Sequence, residues 1–427
     1  MAPAIAGEVV RLCTMGSVDD GKSTLIGRLL HDCKLILDDQ LAAVWDASAR
    51  RGWDGLDLSL ITDGLRAERE QGITIDVAYR YFATARRRFI LADTPGHVQY
   101  TRNTVTGAST AQVALLLLDA ERGIGEQARR HMFVASLLGV PHLVVCVNKM
   151  DRVGWSEDRF EELHGRLARF ASLLSFRDVV FIPTSALLGD NVVERSTRMP
   201  WYEGPTLVER LETIEVAAER DLSRLRLPVQ YVIRERGRSG PAGRWYAGQL
   251  AAGTLRVGDE VAILPTGLRT TVAAIANGKP IDEAFPPMSV RVALADDLDV
   301  SRGDMIVRVT DHPAVVRDLD VLVCSLARAP LAEGSRVVVL HTSRQTPATV
   351  AQIRYRIDVN TLERDPSADA LGFNEIGRAS IRAASPLFYD RYRVNRVTGS
   401  LMLVDPQSNA TIAAAMIADP DDKEGSL

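Results

Sequence analysis

The sequence predicts an α/β phosphate-loop domain with a mainly parallel sheet, followed by two antiparallel β-barrel domains. Three observations carry that reading. Up to about residue 225, short apolar runs (9–13, 89–92, 113–118, 143–147 and 179–182) alternate with longer stretches of helical period. Runs apolar on both faces and joined by helices build a mainly parallel sheet covered on both sides. After Pro228 the texture changes to short β-rich segments punctuated by glycine, such as 248–250, 253–255 and 258–264, the pattern of a small antiparallel barrel. A second β-rich block follows, with 335–341 and 400–404 as its clearest strands. These shifts set expected domains at 1–225, 226–312 and 313–427, with a linker near Asp311-His312-Pro313. The acidic, apolar-poor stretch 419–424 reads as a frayed tail.

Composition bounds what such a chain does. With 427 residues, 46% hydrophobic and 25% charged, it has the make-up of a globular protein of two to four domains. Its apolar runs, such as 113–118, fall far short of the ~20 residues of a spanning helix, and no basic-then-apolar leader opens it. The four cysteines, Cys13, Cys33, Cys146 and Cys324, show no C-x-x-C spacing, which argues against zinc and against a disulfide framework. Cys13 and Cys146 lie inside apolar runs and read as small buried hydrophobes. Together these features point to the cytoplasm and away from a membrane. A net charge of −4 argues against nucleic acid as a general partner. Two local basic segments, 234–240 and 391–396, remain; the second interleaves Tyr392, which could lie beside a base or a partner. Each reads first as a solvated hairpin or a protein-contact face.

The first strand runs into Gly16-Ser17-Val18-Asp19-Asp20-Gly21-Lys22-Ser23, which fits G-x-x-x-x-G-K-[ST]. Gly16 and Gly21 let backbone N–H groups turn onto phosphate oxygens, Lys22 supplies a cation to the β/γ-phosphates, and Ser23 offers a hydroxyl to Mg²⁺. Thr24 continues into a helix whose Leu25, Ile26, Leu29 and Leu30 form a buried stripe. Alone, this loop suits ATPases, kinases and GTPases equally. No second phosphate loop and no internal repeat occur downstream.

Later motifs select the nucleotide. Asp93-Thr94-Pro95-Gly96-His97 follows the run 88–92, which places Asp93 to hold Mg²⁺ and the Gly96 N–H to touch the γ-phosphate. Asn148-Lys149-Met150-Asp151 closes the run 143–147. Asp151 can accept two N–H bonds from a guanine edge, a pair that adenine lacks, so the ligand is GTP. Lys149 packs its stem along the base, and Asn148 ties this loop to the phosphate loop. Ser185-Ala186-Leu187, after 179–182, can present a backbone N–H to the guanine carbonyl. Thr74, in Gly72-Ile73-Thr74-Ile75-Asp76, can reach Mg²⁺ and the γ-phosphate. The charge-rich stretch 62–71 before it reads both as a solvated helix and as a segment ordered by γ-phosphate contacts. Hydrolysis needs a positioned water, and His97, directly after D-T-P-G, is the candidate catalytic residue.

With a histidine after D-T-P-G and two β domains behind the nucleotide domain, the chain resembles the translation-factor group of GTPases, which includes elongation factor Tu. Within that group it resembles the GTPase subunits of bacterial sulfate adenylyltransferase. The residues that carry this likeness are 16–30, 63–81 and 97–110, together with Gly189-Asp190-Asn191-Val192-Val193, Met199-Pro200-Trp201-Tyr202 and Asn395-Arg396-Val397-Thr398-Gly399. Translation factors usually carry His where this chain has Asp20, which favours the sulfate branch. The resemblance implies that this chain hydrolyses GTP while a separate small, ATP-binding catalytic subunit forms adenosine 5′-phosphosulfate and pyrophosphate from ATP and sulfate. Adenylating sulfate is strongly uphill, and GTP hydrolysis drives it. Some family members also fuse an adenylylsulfate kinase, an activity not expected where no second phosphate loop occurs. A carrier of aminoacyl-tRNA and a GTP switch acting only as a regulator are the alternatives.

Overall fold

Six strands form one sheet in the order β2-β3-β1-β4-β5-β6, where β1 is Val9–Met15, β2 Ala78–Ala83, β3 Arg88–Asp93, β4 Val113–Asp119, β5 His142–Asn148 and β6 Asp178–Pro183. The structure, a computed structural model, describes residues 9–36, 38–50, 56–61, 76–216, 221–234 and 243–418. It divides into two compact units, residues 1–217 and 218–426. In the first unit β1 pairs in parallel with β3 and β4, and β4, β5 and β6 continue in parallel. The outermost strand, β2, runs antiparallel to β3. Every residue of β4 and β5 is buried, which explains why these runs are uninterrupted by polar residues.

Among the described residues of this unit the α-helices are α1 (Lys22–Asp32), α2 (Asp38–Arg50), α3 (Thr101–Ala108), α4 (Glu126–Leu137), α5 (Glu157–Ala171) and α6 (Leu207–Thr213). The apolar stripe of α1 does what its spacing predicts: Leu25, Ile26 and Leu29 join one core with Val10, Leu12, Leu115 and Leu117. Ser156 caps α5 by accepting the Arg159 N–H, and Thr206 with Glu209 forms a reciprocal capping box on α6. Cys13 and Cys146 are fully buried, and burial pushes both thiols up to about 12, so they remain protonated packing groups. No disulfide forms, no cluster of metal-ligating side chains occurs among the described residues, and no helix among them is long and apolar enough to cross a membrane.

The second unit is antiparallel throughout and holds two barrels with separate cores. Leu227, Val261, Ile263, Val292 and Ile306 lie in the first, and Val321, Val339, Val350, Ile381 and Leu403 in the second. The first is an eight-stranded sheet. The second closes because Arg336–His341 pairs with Ser400–Val404 on one side and with Arg344–Ile357 on the other. Phe388, from the second barrel, packs among Ala262, Leu264, Met305 and Val307 of the first.

One expectation changes here. Tyr392, considered as an aromatic that could lie beside a base, is only 7% exposed, and its N–H donates to the Ile417 carbonyl at 3.1 Å. The glycine seven residues on explains the burial: a Cβ at Gly399 would strike the Tyr392 backbone. Segment 391–396 is therefore a packed turn and offers no stacking platform. Most of the other basic segment, residues 235–240, and the acidic stretch 419–424 lie outside the described residues.

Candidate functional site

The loops at the C-terminal ends of β1, β3, β5 and β6 meet at one edge of the sheet, where open α/β sheets bind ligands. They enclose a cavity of about 360 Å³, within the range of small-molecule sites.

The phosphate loop is bent by backbone conformations that the sequence anticipates. Gly16 has φ +141° and Gly21 φ +94°; a Cβ at Gly16 would sit 2.7 Å from the Leu117 carbonyl oxygen, and one at Gly21 would collide with the Asn148 amide. Between them Asp19 also takes a positive φ, +68°. Such alternation turns successive N–H groups toward one concavity. Asp20, 5% exposed, does not face that concavity: its carboxylate accepts the Ser17 N–H at 2.5 Å and its carbonyl accepts the Asn148 amide at 2.8 Å. Burial pushes the Asp20 carboxyl up, and the Ser17 N–H opposes that shift. Lys22 Nζ arches over the loop to donate to the Gly16 carbonyl at 3.1 Å and the Ser17 carbonyl at 2.7 Å. Burial draws the Lys22 ammonium below its ordinary range, against the pull of Asp93 and Asp20. Val18, Ser23 and Thr24 line the cavity beside it.

A residue without any sequence signal braces this loop from below. The Gly16 N–H donates to His131 Nδ1 on α4 at 3.0 Å. Burial, then the charges of Lys22 and Arg130, hold His131 at about 3, so the ring is neutral and its Nδ1 is an acceptor.

Asp93 ends β3, where the Thr14 hydroxyl donates to its carboxylate at 3.1 Å. Thr94 is fully buried, and its hydroxyl donates to the Thr14 carbonyl, so it locks the turn rather than facing the cavity. The Pro95 carbonyl accepts the Thr104 hydroxyl at 3.0 Å. Gly96 lines the cavity and is held so close to the phosphate loop that a Cβ would lie 2.6 Å from the Gly16 carbonyl oxygen. His97 is half-buried beside Tyr100 and stands outside the cavity wall; its Nδ1 accepts the Gln99 N–H at 3.2 Å. Thr74 lies outside the described residues.

At the other end of the cavity Asn148 joins three loops, because its Oδ1 also accepts the Ala186 N–H at 2.9 Å. Lys149 has φ +63°, and its ammonium pairs with Asp119 at the end of the neighbouring strand β4 at 2.8 Å. Burial alone would raise the Asp119 carboxyl, but the Lys149 ammonium and the N–H groups of Arg122 and Glu121 outweigh it and hold it below the ordinary carboxylate range. Asp151 accepts the Ser185 hydroxyl at 2.6 Å, so Ser185 orients the carboxylate, while Ala186 and Leu187 form the wall beside it. Ser59 and Arg152 complete the lining, and neither stood out in the sequence. Ser23 and Asp93 supply a hydroxyl and a carboxylate near the Lys22 end, a donor set that suits a hard cation such as Mg²⁺.

A phosphate loop, a D-x-x-G turn and the N-K-x-D and S-A-L loops on one mainly parallel sheet define a GTP-binding domain of the translation-factor class. Residues 7–221 match the profile of the elongation factor Tu GTP binding domain, and residues 318–418 that of the GTP-eEF1A C-terminal domain-like family. The chain is 47% identical over 421 residues to sulfate adenylyltransferase subunit 1 of Bacteroides fragilis, covering 98% of this chain and 87% of the relative. It is 55% identical over 412 residues to the bifunctional enzyme CysN/CysC of Mycobacterium tuberculosis, covering 96% of this chain but 67% of that longer protein. Its fold is also that of the Saccharomyces cerevisiae Ski7 GTPase-like domain, with a TM-score of 0.53 at 20% identity over 96% of this chain and 97% of that one. The chain belongs to the sulfate adenylyltransferase subunit 1 family, enzymes built on a GTPase domain.

Proposed function

We propose that this chain hydrolyses GTP in the cavity between Lys22 and Asp151 and that hydrolysis drives the formation of adenosine 5′-phosphosulfate and pyrophosphate from ATP and sulfate on a small ATP-binding partner subunit. The observation that carries the reading is one cavity with a buried cation at its phosphate end and, at its other end, a carboxylate held by Ser185 to accept from a guanine edge. Gly16 to Thr24 wrap the phosphates, Asn148 and Lys149 frame the base, and the Ala186-Leu187 backbone faces its carbonyl. Ser23, Asp93 and Thr74 would hold Mg²⁺, which when bound would supply charge neutralisation for the triphosphate.

Water attacks the γ-phosphorus as the bond to the β–γ bridging oxygen breaks, giving GDP and inorganic phosphate. Because Nδ1 of His97 accepts the Gln99 N–H, the neutral ring carries its proton on Nε2. In that form it orients the water as a hydrogen-bond donor, and the water's proton passes to phosphate oxygen rather than to the ring. The setting is the cytoplasm, where ATP, GTP and sulfate meet. The aminoacyl-tRNA carrier reading loses Tyr392 as an aromatic to lie beside a base, since that ring is packed inside the second unit. Mixing this chain with the small subunit, ATP, sulfate and GTP should yield adenosine 5′-phosphosulfate. An equal yield without GTP would refute the coupling.

A further inference from the structure

Arg28 of α1 reaches the back of the 185–187 loop, whose Ala186 and Leu187 line the cavity. Its Nε donates to the Ala186 carbonyl at 3.1 Å and its Nη2 to the Leu187 carbonyl. Its Nη1 donates to Asp32 at 3.3 Å, which fixes the plane of the fork, and its side chain is 18% exposed. Gly189, with φ +86°, turns the loop back to the Arg28 side chain, where a Cβ would make ordinary contact with Cδ at 3.7 Å.

The consequence follows from peptide geometry. In a trans peptide the carbonyl and the next N–H point in opposite directions. Capturing the Ala186 carbonyl from the α1 side therefore turns the Leu187 N–H away from α1. The neighbouring N–H groups are already committed: Ser185 donates to the Asp190 carbonyl at 3.2 Å, Ala186 to Asn148 at 2.9 Å and Leu188 to the Ser185 hydroxyl at 3.2 Å. Leu187 itself lines the cavity.

We infer that Arg28 is a positioning residue for base recognition: it grips the outer carbonyls of the 185–187 loop so that the Leu187 N–H is presented to the six-position oxygen of guanine. The inference rests on the base-end reading proposed above. It also gives α1, whose first turn belongs to the phosphate end, a direct hold on the base end. A guanidinium is needed because two carbonyls are gripped at once, which an ammonium at one point cannot do.

Two nucleotide analogues separate the contributions. 6-Thio-GTP replaces the six-position oxygen with sulfur, a weaker acceptor, whereas ITP lacks the two-position amine that faces Asp151. For wild-type protein, fluorescence titration should show tighter binding of GTP than of either. Arg28→Ala should weaken GTP binding about three- to tenfold and bring the GTP to 6-thio-GTP ratio close to one, while the GTP to ITP ratio stays at its wild-type value. Arg28→Lys keeps the stem and charge but not the fork. It should show the same selective loss at an unchanged melting temperature, which decides the matter if Arg28→Ala does not fold. Wild-type ratios for both analogues in Arg28→Lys would overturn the role of Arg28 alone. Wild-type protein that prefers GTP over neither analogue would overturn the base-end reading itself.

Discussion

Arg226 in the first barrel grips Asp390 in the second through two parallel bonds, Nε to Oδ2 at 2.8 Å and Nη2 to Oδ1 at 2.9 Å. The guanidinium is 1% exposed and the carboxylate 8%. Further bonds surround the pair: Arg226 Nη1 donates to the carbonyls of Leu225 and Asp311, and Asp390 also accepts the Thr398 hydroxyl at 2.8 Å. The turn around Thr398 belongs to Asn395-Arg396-Val397-Thr398-Gly399, where Asn395 Oδ1 accepts the N–H groups of Val397 and Thr398 and its Nδ2 donates to Ala251 of the first barrel. This segment, one of those carrying the family likeness, thus fastens the two barrels together. A buried pair is worth little against apolar packing but costs much when broken on one side. Arg226→Met should therefore lower stability by about 3–5 kcal/mol in chemical denaturation, by leaving the Asp390 carboxylate buried without its partner. Arg226→Met with Asp390→Leu should recover a large part of that loss; a double variant as unstable as the sum of the singles would show that the two residues do not act as a pair.

His131 makes stability depend on pH in a defined direction. In the folded chain it stays neutral down to about 3, whereas the unfolded chain binds a proton below about 6.5. Between those values the unfolded state binds more protons, so stability falls as pH falls and is fully present above 6.5. The expected slope in that window is about 1.4 kcal/mol per pH unit from this group. His131→Asn offers an amide oxygen to the Gly16 N–H and does not titrate. Denaturation midpoints at pH 7 and pH 5 should converge in that variant relative to wild type. Parallel pH dependence in both proteins would remove His131 as the source.

How much of this was legible in advance follows from distance along the chain. The phosphate loop, Asp93 to Gly96, Asn148 to Asp151 and Ser185 to Leu187 are each contiguous, sit at strand ends and carry their chemistry in residue type, so the sequence displays them. Gly16 and Gly21, read from the motif as turning backbone N–H groups inward, both take a positive φ with no room for a Cβ. His131 and Arg28 were not, because their partners lie 115 and 158 residues away and nothing local distinguishes them from a core histidine and a surface arginine. Asp20 and Thr94 were assigned to the ligand by motif membership, yet their side chains hold the protein's own backbone. Tyr392 misled because an aromatic among arginines looks exposed until Gly399 brings the chain over it.

His97 is expected to act on turnover and not on binding. It follows Gly96, which is on the cavity wall, but is not itself part of that wall, so its removal leaves the cavity lining unchanged. His97→Ala should slow GTP hydrolysis by about 10²–10⁴-fold, the usual worth of a proton-handling or water-orienting group, with GTP affinity changed less than threefold. Single-turnover hydrolysis beside nucleotide titration checks both halves. Undiminished hydrolysis would exclude the residue from the chemistry. His97→Gln, which keeps a donor, should retain part of the rate if orientation of water is the function.

Asp151→Asn tests base choice at its source. The carboxylate accepts the Ser185 hydroxyl on one oxygen, and an asparagine oxygen can keep that bond, so the loop stays in place while the other position changes from acceptor to donor. A donor facing the two-amino group of guanine is repulsive, whereas one facing the two-oxo group of xanthine is complementary. GTP affinity should fall about ten- to a hundredfold, the worth of one charge-assisted hydrogen bond, and xanthosine triphosphate should bind more tightly than GTP. Competition titration with the two nucleotides at one pH reads the inversion directly. A variant that still prefers GTP by the wild-type factor would place the base elsewhere than against Asp151.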